Sequence, residues 1–367
     1  MAERMVSIDK LEEGMRIIAD VHNRGGVIVV PAYTVVNYEV IDLLARHSIK
    51  EVLIDKETED VEVSLEDINI LGNALDMLTY MEERENKQSA FEIAFRVAVE
   101  DVKVFFEQVL THQDVDIYQL LDIVATVVES ADNNVNLFQM LYKMMNREVE
   151  DIYEHCILVS LYAQLLAKWA DLTADEVELA GLAGALHDIG LIACHNAGEK
   201  NISLHGEYNN QCGFNHMLHS YNLIKDIDVD ARLKQAILTH HERMDLSGFP
   251  NKLSYKQLNS VSRVVAIADG FATLTMKEEG FEALLPLNAL CNMYETGYIK
   301  FDTKLLICFS EHVVQNFMQY EAVLSDGRRG KIVMPGKREP ARPWVMVGNE
   351  MLDLSKRKDL SIVEMYY

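Results

Sequence analysis

The chain has 367 residues, of which 49% are hydrophobic and 25% are charged, which suffices for two or three folded domains. Its formal net charge of −24, with no basic patch, excludes nucleic acids and anionic membranes as expected partners. The five cysteines form no C-x-x-C pair, so we expect no disulfide framework, no structural zinc site and a reducing compartment. The polar N-terminus and the lack of an apolar run of about 18 residues predict a cytoplasmic protein without a membrane span.

The first 56 residues predict a small α+β module. The segment "GGVIVVPAYTVV", residues 25–36, has a β-branched run on each side of a proline, which predicts a strand pair. "NYEVIDLLARHSI" then has apolar residues at helical spacing, and "KEVLID" predicts a further short strand. Residues 1–56 are therefore expected to form the N-terminal domain.

Helical periodicity dominates the next 260 or so residues of the chain. Residues 57–125 predict a helical connector, and the amphipathic helices from about residue 65 to 150 also allow a homodimer. Residues 126–320 continue the helical pattern and hold eight of the 12 histidines between His155 and His241. Residues 321–367 have turn residues between short apolar stretches, which predicts a small β-rich C-terminal appendage.

Two helical segments of the histidine-rich region begin or end at candidate metal ligands. In "DIYEHCILVSLYAQLLAKW", Asp151 precedes His155 by four residues, so both side chains lie on one helix face. In "LTADEVELAGLAGALHDIG", a capping-box pattern at Thr173 predicts the start of a helix whose small apolar centre is buried. That helix ends at the dipeptide His187–Asp188, and Gly190 suits the helix stop.

Two further segments complete the set of candidate ligands. "DARLKQAILTHHE" is a short amphipathic helix that ends in His240 and His241, and "SVSRVVAIADGFATL" places Asp269 among apolar neighbours. A lone histidine on a helix is more often a packed or surface residue than a ligand, so each segment alone is a weak signal. Together they supply His and Asp donors without a thiolate, which suit Fe, Mn or Zn. Two such ions ~3.5–4 Å apart are a standard device for phosphoester hydrolysis.

These segments resemble the HD superfamily of metal-dependent phosphohydrolases, and in particular its HD-GYP branch. "GALHDIG" resembles the HD signature, and "HHERMDLSGFP" resembles the HD-GYP signature HHExxDGxGYP. His216 rather than His219 matches the third position, because "HMLHSYNLI" then aligns with HPxxGxxIL. Members with a third metal carry an acid one turn before the first histidine, which points to Asp151, with Glu154 as the alternative. The ligands implied by the resemblance are Asp151, His155, His187, Asp188, His216, His240, His241 and Asp269.

The resemblance implies a mainly α fold, an HD-type helical bundle, and an enzymatic activity. HD-GYP proteins hydrolyse c-di-GMP, so it implies a phosphodiesterase acting on c-di-GMP or a related cyclic dinucleotide through a metal-bridging hydroxide. Asp188 and His187 would be the catalytic residues, with Asp188 bridging the ions. Two divalent ions are implied, or three if Asp151 also binds one, with Fe or Mn favoured and Zn allowed. The N-terminal module resembles one often found ahead of HD-GYP domains, which implies a signalling partner that the sequence does not name.

The sequence departs from the family pattern on the substrate side. The family's Lys after HDIG is Leu191, its Gly after the turn Asp is Leu246, and its Tyr is Phe249. Leu246 is the most costly of these if its position requires a positive φ. The substrate-side residues that this comparison assigns are Asp245, Gly248, Phe249 and Lys277.

The largest departure follows Asp269, where the family has cations that hold phosphate or guanine. Its Arg falls at Glu278, and the following basic pair falls at Phe281 and Glu282, with Lys277 as a partial replacement. Two hypotheses therefore stay open. One is a catalytic phosphodiesterase, and the other is a degenerate HD-GYP regulatory or interaction module that keeps metal but has weak or no turnover.

Overall fold

In the computed structural model, the chain divides into two compact units, Met1–Asn86 and Lys87–Tyr367. The domain boundaries expected at residues 56, 125 and 320 stay predictions. The structure describes residues 3–366 except residues 13, 16, 20, 23–27, 31–33, 35, 37, 48, 56–89, 112–114, 132–133, 145–151, 197–210, 278–280 and 298.

The first unit is a small α+β module with its own hydrophobic core. Strand β1 (Glu3–Ser7) pairs antiparallel with β4 (Glu51–Asp55), and β2 (Val21–His22) pairs antiparallel with β3 (Ile28–Val30). Helix α1 (Tyr38–Arg46) has the predicted helical face, and its apolar residues enter the same core as β3 and β4. A short 3₁₀ turn, Ile8–Lys10, follows β1. The α+β character predicted for this module is confirmed.

Of the strand pair predicted within residues 25–36, the structure describes the first strand as β3, while 25–27, 31–33 and 35 lie outside the described residues. β3 pairs with β2, which precedes the two glycines, so that Val21 lies opposite Val30. After the proline, the described residues Thr34 and Val36 form backbone hydrogen bonds with an earlier loop. Ile17 N donates to Thr34 O over 2.8 Å, and Val36 N donates to Met15 O. The periodicity identified the β-branched run correctly but could not identify its partner.

The second unit is built mainly of helices, which confirms the predicted mainly α fold. Helices α5, α6 and α10 pack against one another at its centre, α9 packs against α6 and α10, and α8 packs against α7 and α9. The helices are α2 (90–110), α3 (Gln119–Glu129), α4 (Asn134–Met144), α5 (Ile152–Trp169), α6 (Ala174–Leu186), α7 (Ile189–Asn196), α8 (Gln211–Ile224), α9 (Ala231–Thr239), α10 (Ser260–Thr275), α11 (Pro286–Gly297) and α12 (Thr303–Asn316), with a 3₁₀ turn at Tyr255–Gln257.

Helix α6 begins at the predicted capping box and continues into the core. Thr173 Oγ1 accepts from Glu176 N, and the Glu176 carboxylate accepts from Thr173 N. Together with α7, it makes one stretch, Ala174–Cys194, that is long and apolar enough to cross a membrane by length and composition alone. Charged residues interrupt this stretch, as expected from the lack of an apolar run of about 18 residues. In the most apolar 18-residue window of this stretch, 83% is buried inside the protein. The high hydropathy is therefore explained by the position of these helices in the core.

Gly190 does not stop a helix, contrary to the sequence-based expectation. It lies inside α7, where α7 and α8 approach so closely that a Cβ at Gly190 would lie 2.2 Å from His216 O. Ser220 Oγ joins the two helices by donating to His187 O and accepting from Gly190 N. The glycine is therefore required by the close approach of two helices next to the HD dipeptide.

Among the cysteines that the structure describes, Cys194 is disulfide-bonded. Cys156, Cys291 and Cys308 are free.

The predicted β-rich C-terminal appendage is confirmed as one antiparallel sheet. Its strands are β5 (Glu321–Leu324), β6 (Arg329–Met334), β7 (Trp344–Val347), β8 (Glu350–Asp353) and β9 (Ile362–Tyr366). Their order is β8-β7-β6-β5-β9, and each neighbouring pair is antiparallel. The inward-facing side chains of the sheet belong to the same hydrophobic core as the helices.

Candidate metal centre

All the predicted ligands that the structure describes come together in one buried cluster. Asp151 lies outside the described residues, and its alternative Glu154 is half-buried in the first turn of α5. Each member of the cluster is at most 6% exposed. The members are His155, His187, Asp188, His216, His240, His241 and Asp269. His216 is buried in this cluster whereas His219 is exposed, as expected from the alignment.

Small residues bring the first two histidines together. A Cβ at Gly184 would lie 2.8 Å from Ser160 Cα, so α5 and α6 are in backbone contact there. Ser160 Oγ also donates to Gly181 O over 2.8 Å. As a result, the rings of His155 on α5 and His187 at the end of α6 lie with centroids 5.2 Å apart. The small apolar centre of α6 therefore serves the site by allowing this approach.

The carboxylate of Asp188 lies between two sets of histidines. Its Oδ1 is 3.2 Å from His216 Nε2 and 3.6 Å from His240 Nε2. Its Oδ2 is 3.2 Å from His187 Nε2 and 3.9 Å from His155 Nε2. Two groups of side chains with the spacing of metal ligands thus share this one residue. That arrangement is what a carboxylate bridging two ions requires.

The carboxylate of Asp269 likewise lies close to histidines of both sets. Its Oδ1 lies 3.3 Å from His155 Nε2 and 3.8 Å from His187 Nε2, and its Oδ2 lies 4.0 Å from His241 Nδ1. Thr273, one turn later on α10, donates its hydroxyl to Oδ1. The carboxylate that looked costly among apolar neighbours therefore faces imidazoles.

Three imidazoles are oriented by acceptors outside the cluster. His187 Nδ1 lies 2.8 Å from Gly184 O, His240 Nδ1 lies 2.8 Å from Ile237 O, and His155 Nδ1 lies 3.3 Å from Met276 Sδ. Since each acceptor requires a proton on Nδ1, Nε2 is left as a lone-pair donor that faces the cluster. The Met276 thioether was not predicted from the sequence.

The remaining lone pairs fit divalent cations. Among the described residues, His155 Nε2, His187 Nε2 and Asp188 Oδ1 are buried without a hydrogen-bond partner. His216 Nε2 lies 3.0 Å from His241 Nε2 and 3.3 Å from His240 Nε2, so lone pairs converge there as well. Buried lone pairs that face one another are costly unless a cation lies between them. The cluster therefore fits divalent metal binding, with a donor set of imidazole and carboxylate that suits Fe, Mn or Zn.

The electrostatics keep the carboxylates ionised. Burial raises the pKa of Asp188, but the His187 and His216 imidazoles outweigh it and hold that pKa well below its ordinary value. Burial acts likewise on Asp269, whose pKa is lowered by His155, His187 and His241. For His187, burial lowers the pKa, but the two carboxylates outweigh it and raise it to about 9, so a metal ion that binds Nε2 would displace a proton from it.

Burial also lowers the pKa of His240, and it lowers that of His241 well below its ordinary value with help from the neighbouring imidazoles. Both therefore stay neutral near pH 7, and a neutral imidazole is the form that binds a metal.

The loop after the histidine doublet is tightly built around the predicted substrate-side residues. Leu246 has φ +65°, so the position does require a positive φ. A Cβ at Gly248 would lie 2.3 Å from Arg243 N, so this glycine is fixed by a close approach. The Phe249 ring stacks on His241 with centroids 4.9 Å apart and 23° between planes. Phe249 therefore keeps the packing expected of the family's tyrosine.

Two of the predicted substrate-side residues are engaged elsewhere. The Asp245 carboxylate accepts from the hydroxyl and the backbone N–H of Ser247, and these bonds lower its pKa. Lys277 pairs with Glu282 over 3.7 Å. Neither lines the cavity beside the cluster. Glu278 lies outside the described residues.

Glu242 is a buried carboxylate that the sequence-based assignment missed. It is 1% exposed, and it accepts from Asn251 N over 2.6 Å and from Leu253 N over 2.9 Å. Its position directly after the doublet in "HHE" was the available signal. Glu242 holds the end of the loop against the metal cluster.

A cavity of about 370 Å³ opens beside the cluster. His241 and Asp269 line it on the cluster side, together with Gly248 and Phe249 from the loop. The sequence-based assignment missed the residues of α11 and of the turn after it that complete the lining. The predicted loop residues thus form one wall of a space that opens onto the candidate ligands.

Comparison with known proteins identifies relatives of the helical part. Residues 139–305 match the family model of the HD domain. A 3′3′-cGAMP-specific phosphodiesterase 1 from Vibrio cholerae is 25% identical over 193 residues, which are 51% of this chain and 42% of the relative. A cyclic di-GMP phosphodiesterase from Pseudomonas aeruginosa is 27% identical over 240 residues, which are 64% of this chain and 56% of the relative. The alignments thus cover about half the length of these curated relatives.

Two solved structures are also similar. An HDG"Y"P protein from Bdellovibrio bacteriovorus gives a TM-score of 0.49 at 16% identity, covering 84% of this chain and 98% of that chain. A cyclic GMP-AMP-specific phosphodiesterase from V. cholerae gives a TM-score of 0.35 at 17% identity, covering 44% of each chain. The match of residues 139–305 to the HD domain model, the relatives and the ligand geometry together confirm the resemblance recognised in the sequence.

Proposed function

We propose that this chain is a metal-dependent phosphodiesterase that hydrolyses a phosphodiester bond of a cyclic dinucleotide. The observation that carries the proposal is Asp188, whose two carboxylate oxygens face two separate sets of buried histidines. A single residue between two ligand sets is the arrangement of two-ion hydrolytic sites. The relatives named as cGAMP and c-di-GMP phosphodiesterases support the class of reaction.

The proposed ligand sets follow from the distances. His155 and His187 would hold one ion with Asp188 and Asp269, and His216, His240 and His241 would hold a second with Asp188. We propose Fe or Mn at these positions, with Zn also compatible with the donors, and a third ion if Asp151 contributes. When bound, such ions supply charge that stabilises phosphoryl oxygens and lowers the pKa of a water molecule.

Residues of this chain position the metal ligands and shape the cavity. His187 and Asp188 are held by the close packing of α6, α7 and α8 around Gly190, so their geometry is fixed before substrate arrives. Phe249 stacks on His241 and closes one side of the cavity. We propose that the substrate reaches the buried cluster through this cavity.

The proposed substrate is a small phosphoester with two phosphates, c-di-GMP or 3′3′-cGAMP. The relatives carry both names, so they support the ligand class and leave its bases to experiment. A cytoplasmic location, a homodimer and a signalling partner for residues 1–56 remain proposals from the sequence.

A metal-binding regulatory module is the second candidate. The observation that favours it is the ion pair between Lys277 and Glu282. Lys277 was expected to replace the family's Arg in part, and this ion pair engages its charge. In that case the cluster would be kept for folding or for ligand sensing, with little turnover.

Metal content and hydrolysis decide between the two candidates. Purified protein is analysed for Fe, Mn and Zn, and then assayed on bis-p-nitrophenyl phosphate, c-di-GMP and 3′3′-cGAMP, with His187→Ala as the control. We expect bound metal and hydrolysis that the control lacks. Bound metal without hydrolysis of any of the three esters would establish the regulatory module, and absence of metal would rule out both candidates.

A further inference from the structure

The lining of the cavity beside the metal cluster is opposite in charge to the molecule as a whole. The chain has a formal net charge of −24. Among the described residues, Asp269 is the only carboxylate that lines this cavity, and it belongs to the metal cluster. Two cations, Arg243 and Lys300, line the same cavity. Such a local reversal favours an anionic ligand.

Lys300 is held on a fixed backbone opposite the loop. It lies in the turn after α11, where Lys300 N donates to Gly297 O over 2.7 Å. Its carbonyl accepts from Met244 N over 2.8 Å, which ties this turn to the loop that follows the histidine doublet. The position of the lysine relative to the metal cluster is therefore set by main-chain hydrogen bonds.

Of the two cations, Arg243 has a structural role. Its Nη1 donates to His240 O over 2.9 Å and to Glu242 O over 3.0 Å, and its guanidinium lies 5.1 Å from the centre of the Phe301 ring. Lys300 forms no ion pair with a described carboxylate, although its charge reaches Asp245. The Lys300 ammonium is thus the cation of this cavity whose hydrogen bonds can go to a ligand.

We propose that Lys300 binds the second, non-reacting phosphate of a cyclic dinucleotide whose first phosphate lies at the metal cluster. This inference rests on the proposed function and deepens it, because it assigns the residue that selects a ligand with two phosphates. Asn292 and Thr296, one turn apart on α11, line the same side of the cavity and add polar groups. Lys300 would supply the charge that the sequence lacks at Phe281 and Glu282, where the family has cations.

The test compares binding of a two-phosphate ligand with turnover of a one-phosphate ester. The variants are Lys300→Gln, Lys300→Arg and, as a matched control, Lys304→Gln, which alters an exposed lysine of α12 outside the cavity. Binding is measured by calorimetry with a hydrolysis-resistant phosphorothioate analogue of c-di-GMP, at low and high salt, on metal-loaded protein. Turnover is measured as kcat/KM for bis-p-nitrophenyl phosphate.

Lys300→Gln is expected to raise the Kd for the analogue about tenfold, because one charge-assisted hydrogen bond is lost, and to reduce its salt dependence. Lys300→Arg is expected to stay within about threefold of wild type, and Lys304→Gln to leave the Kd unchanged. All three variants should retain kcat/KM for the one-phosphate ester to within about twofold, since that ester has no second phosphate to bind.

An unchanged Kd in Lys300→Gln, or an equal loss of turnover on the one-phosphate ester, would overturn the inference. If wild-type protein hydrolyses that ester but does not bind the analogue, the role of Lys300 is wrong and c-di-GMP is not the substrate, while metal-dependent phosphodiester hydrolysis stands. If binding depends on Lys300 but no ester is hydrolysed, the role of Lys300 stands and the proposed enzymatic activity is wrong.

Discussion

The metal cluster and the cavity beside it are neighbouring regions built from the same helix ends, yet they differ in how they depart from the family pattern. The cluster retains every family ligand that the structure describes, and each is buried and oriented. The cavity is lined by Lys300 from the turn after α11, whereas the positions at which the resemblance implies cations hold Glu278, Phe281 and Glu282. Chemistry and recognition can therefore change separately, because the ligands are fixed by core packing whereas part of the cavity wall is made of the loop after the histidine doublet and the turn after α11.

The largest expected effect breaks the metal side. Asp188→Asn removes one oxygen from the carboxylate that lies between the two histidine sets, so we expect metal loss and a fall of about 10³-fold or more in hydrolysis of bis-p-nitrophenyl phosphate. Asp245→Asn is the matched control, since this aspartate only orders its own turn through Ser247. Equal losses in the two variants, measured as kcat and metal content, would show that the cluster is not the catalytic centre.

The next largest effect is expected for the loop that connects the metal cluster to the cavity. Glu242→Gln replaces a buried carboxylate that accepts from Asn251 N and Leu253 N. Hydrogen bonds to a buried charge contribute about 1.5–3 kcal/mol each, so we expect the free energy of unfolding to fall by about 2 kcal/mol. Denaturant unfolding checks this, with exposed Glu311→Gln as the control. No loss of stability would mean that the loop is held by other contacts.

A smaller effect is expected on metal affinity. Met276→Leu keeps the volume of the side chain but removes the sulfur that accepts from His155 Nδ1. Since partners that orient a ligand histidine typically affect metal affinity by 10–100-fold, and a thioether is a weak acceptor, we expect the low end, about tenfold. Chelator competition measures it. Met293→Leu is a control in the same core, and an effect as large there would assign the change to packing.

These differences also explain how much the sequence could predict. Four of the seven described ligands were predictable because they occur as adjacent pairs at helix ends, His187–Asp188 and His240–His241, whereas His216 was assigned only through the family resemblance. The role of Gly190 was not predictable, since it depends on the distance between α7 and α8 and not on its own segment. Lys300 was missed for the same reason, because the hydrogen bond from Met244 joins two turns far apart in sequence.

The smallest effect tests whether the substrate-side loop is strained. Leu246 has φ +65° and is 48% exposed, so its side chain contributes little packing while its backbone adopts a conformation that disfavours a Cβ. Leu246→Gly should relieve about 1–2 kcal/mol of strain, of which the greater entropy of glycine in the unfolded chain offsets about half. We therefore expect a gain of about 0.5 kcal/mol in the free energy of unfolding.

Leu246→Ala separates the backbone from the side chain, since alanine removes the same exposed atoms but keeps the Cβ. It should give no gain in the free energy of unfolding, measured by urea denaturation alongside Leu246→Gly. Equal stability of the two variants would mean that the positive φ costs nothing here, and that the family's glycine was replaced without strain. A gain confined to glycine would show that this loop has departed from the family at the expense of its own stability, while the cluster that it covers has not.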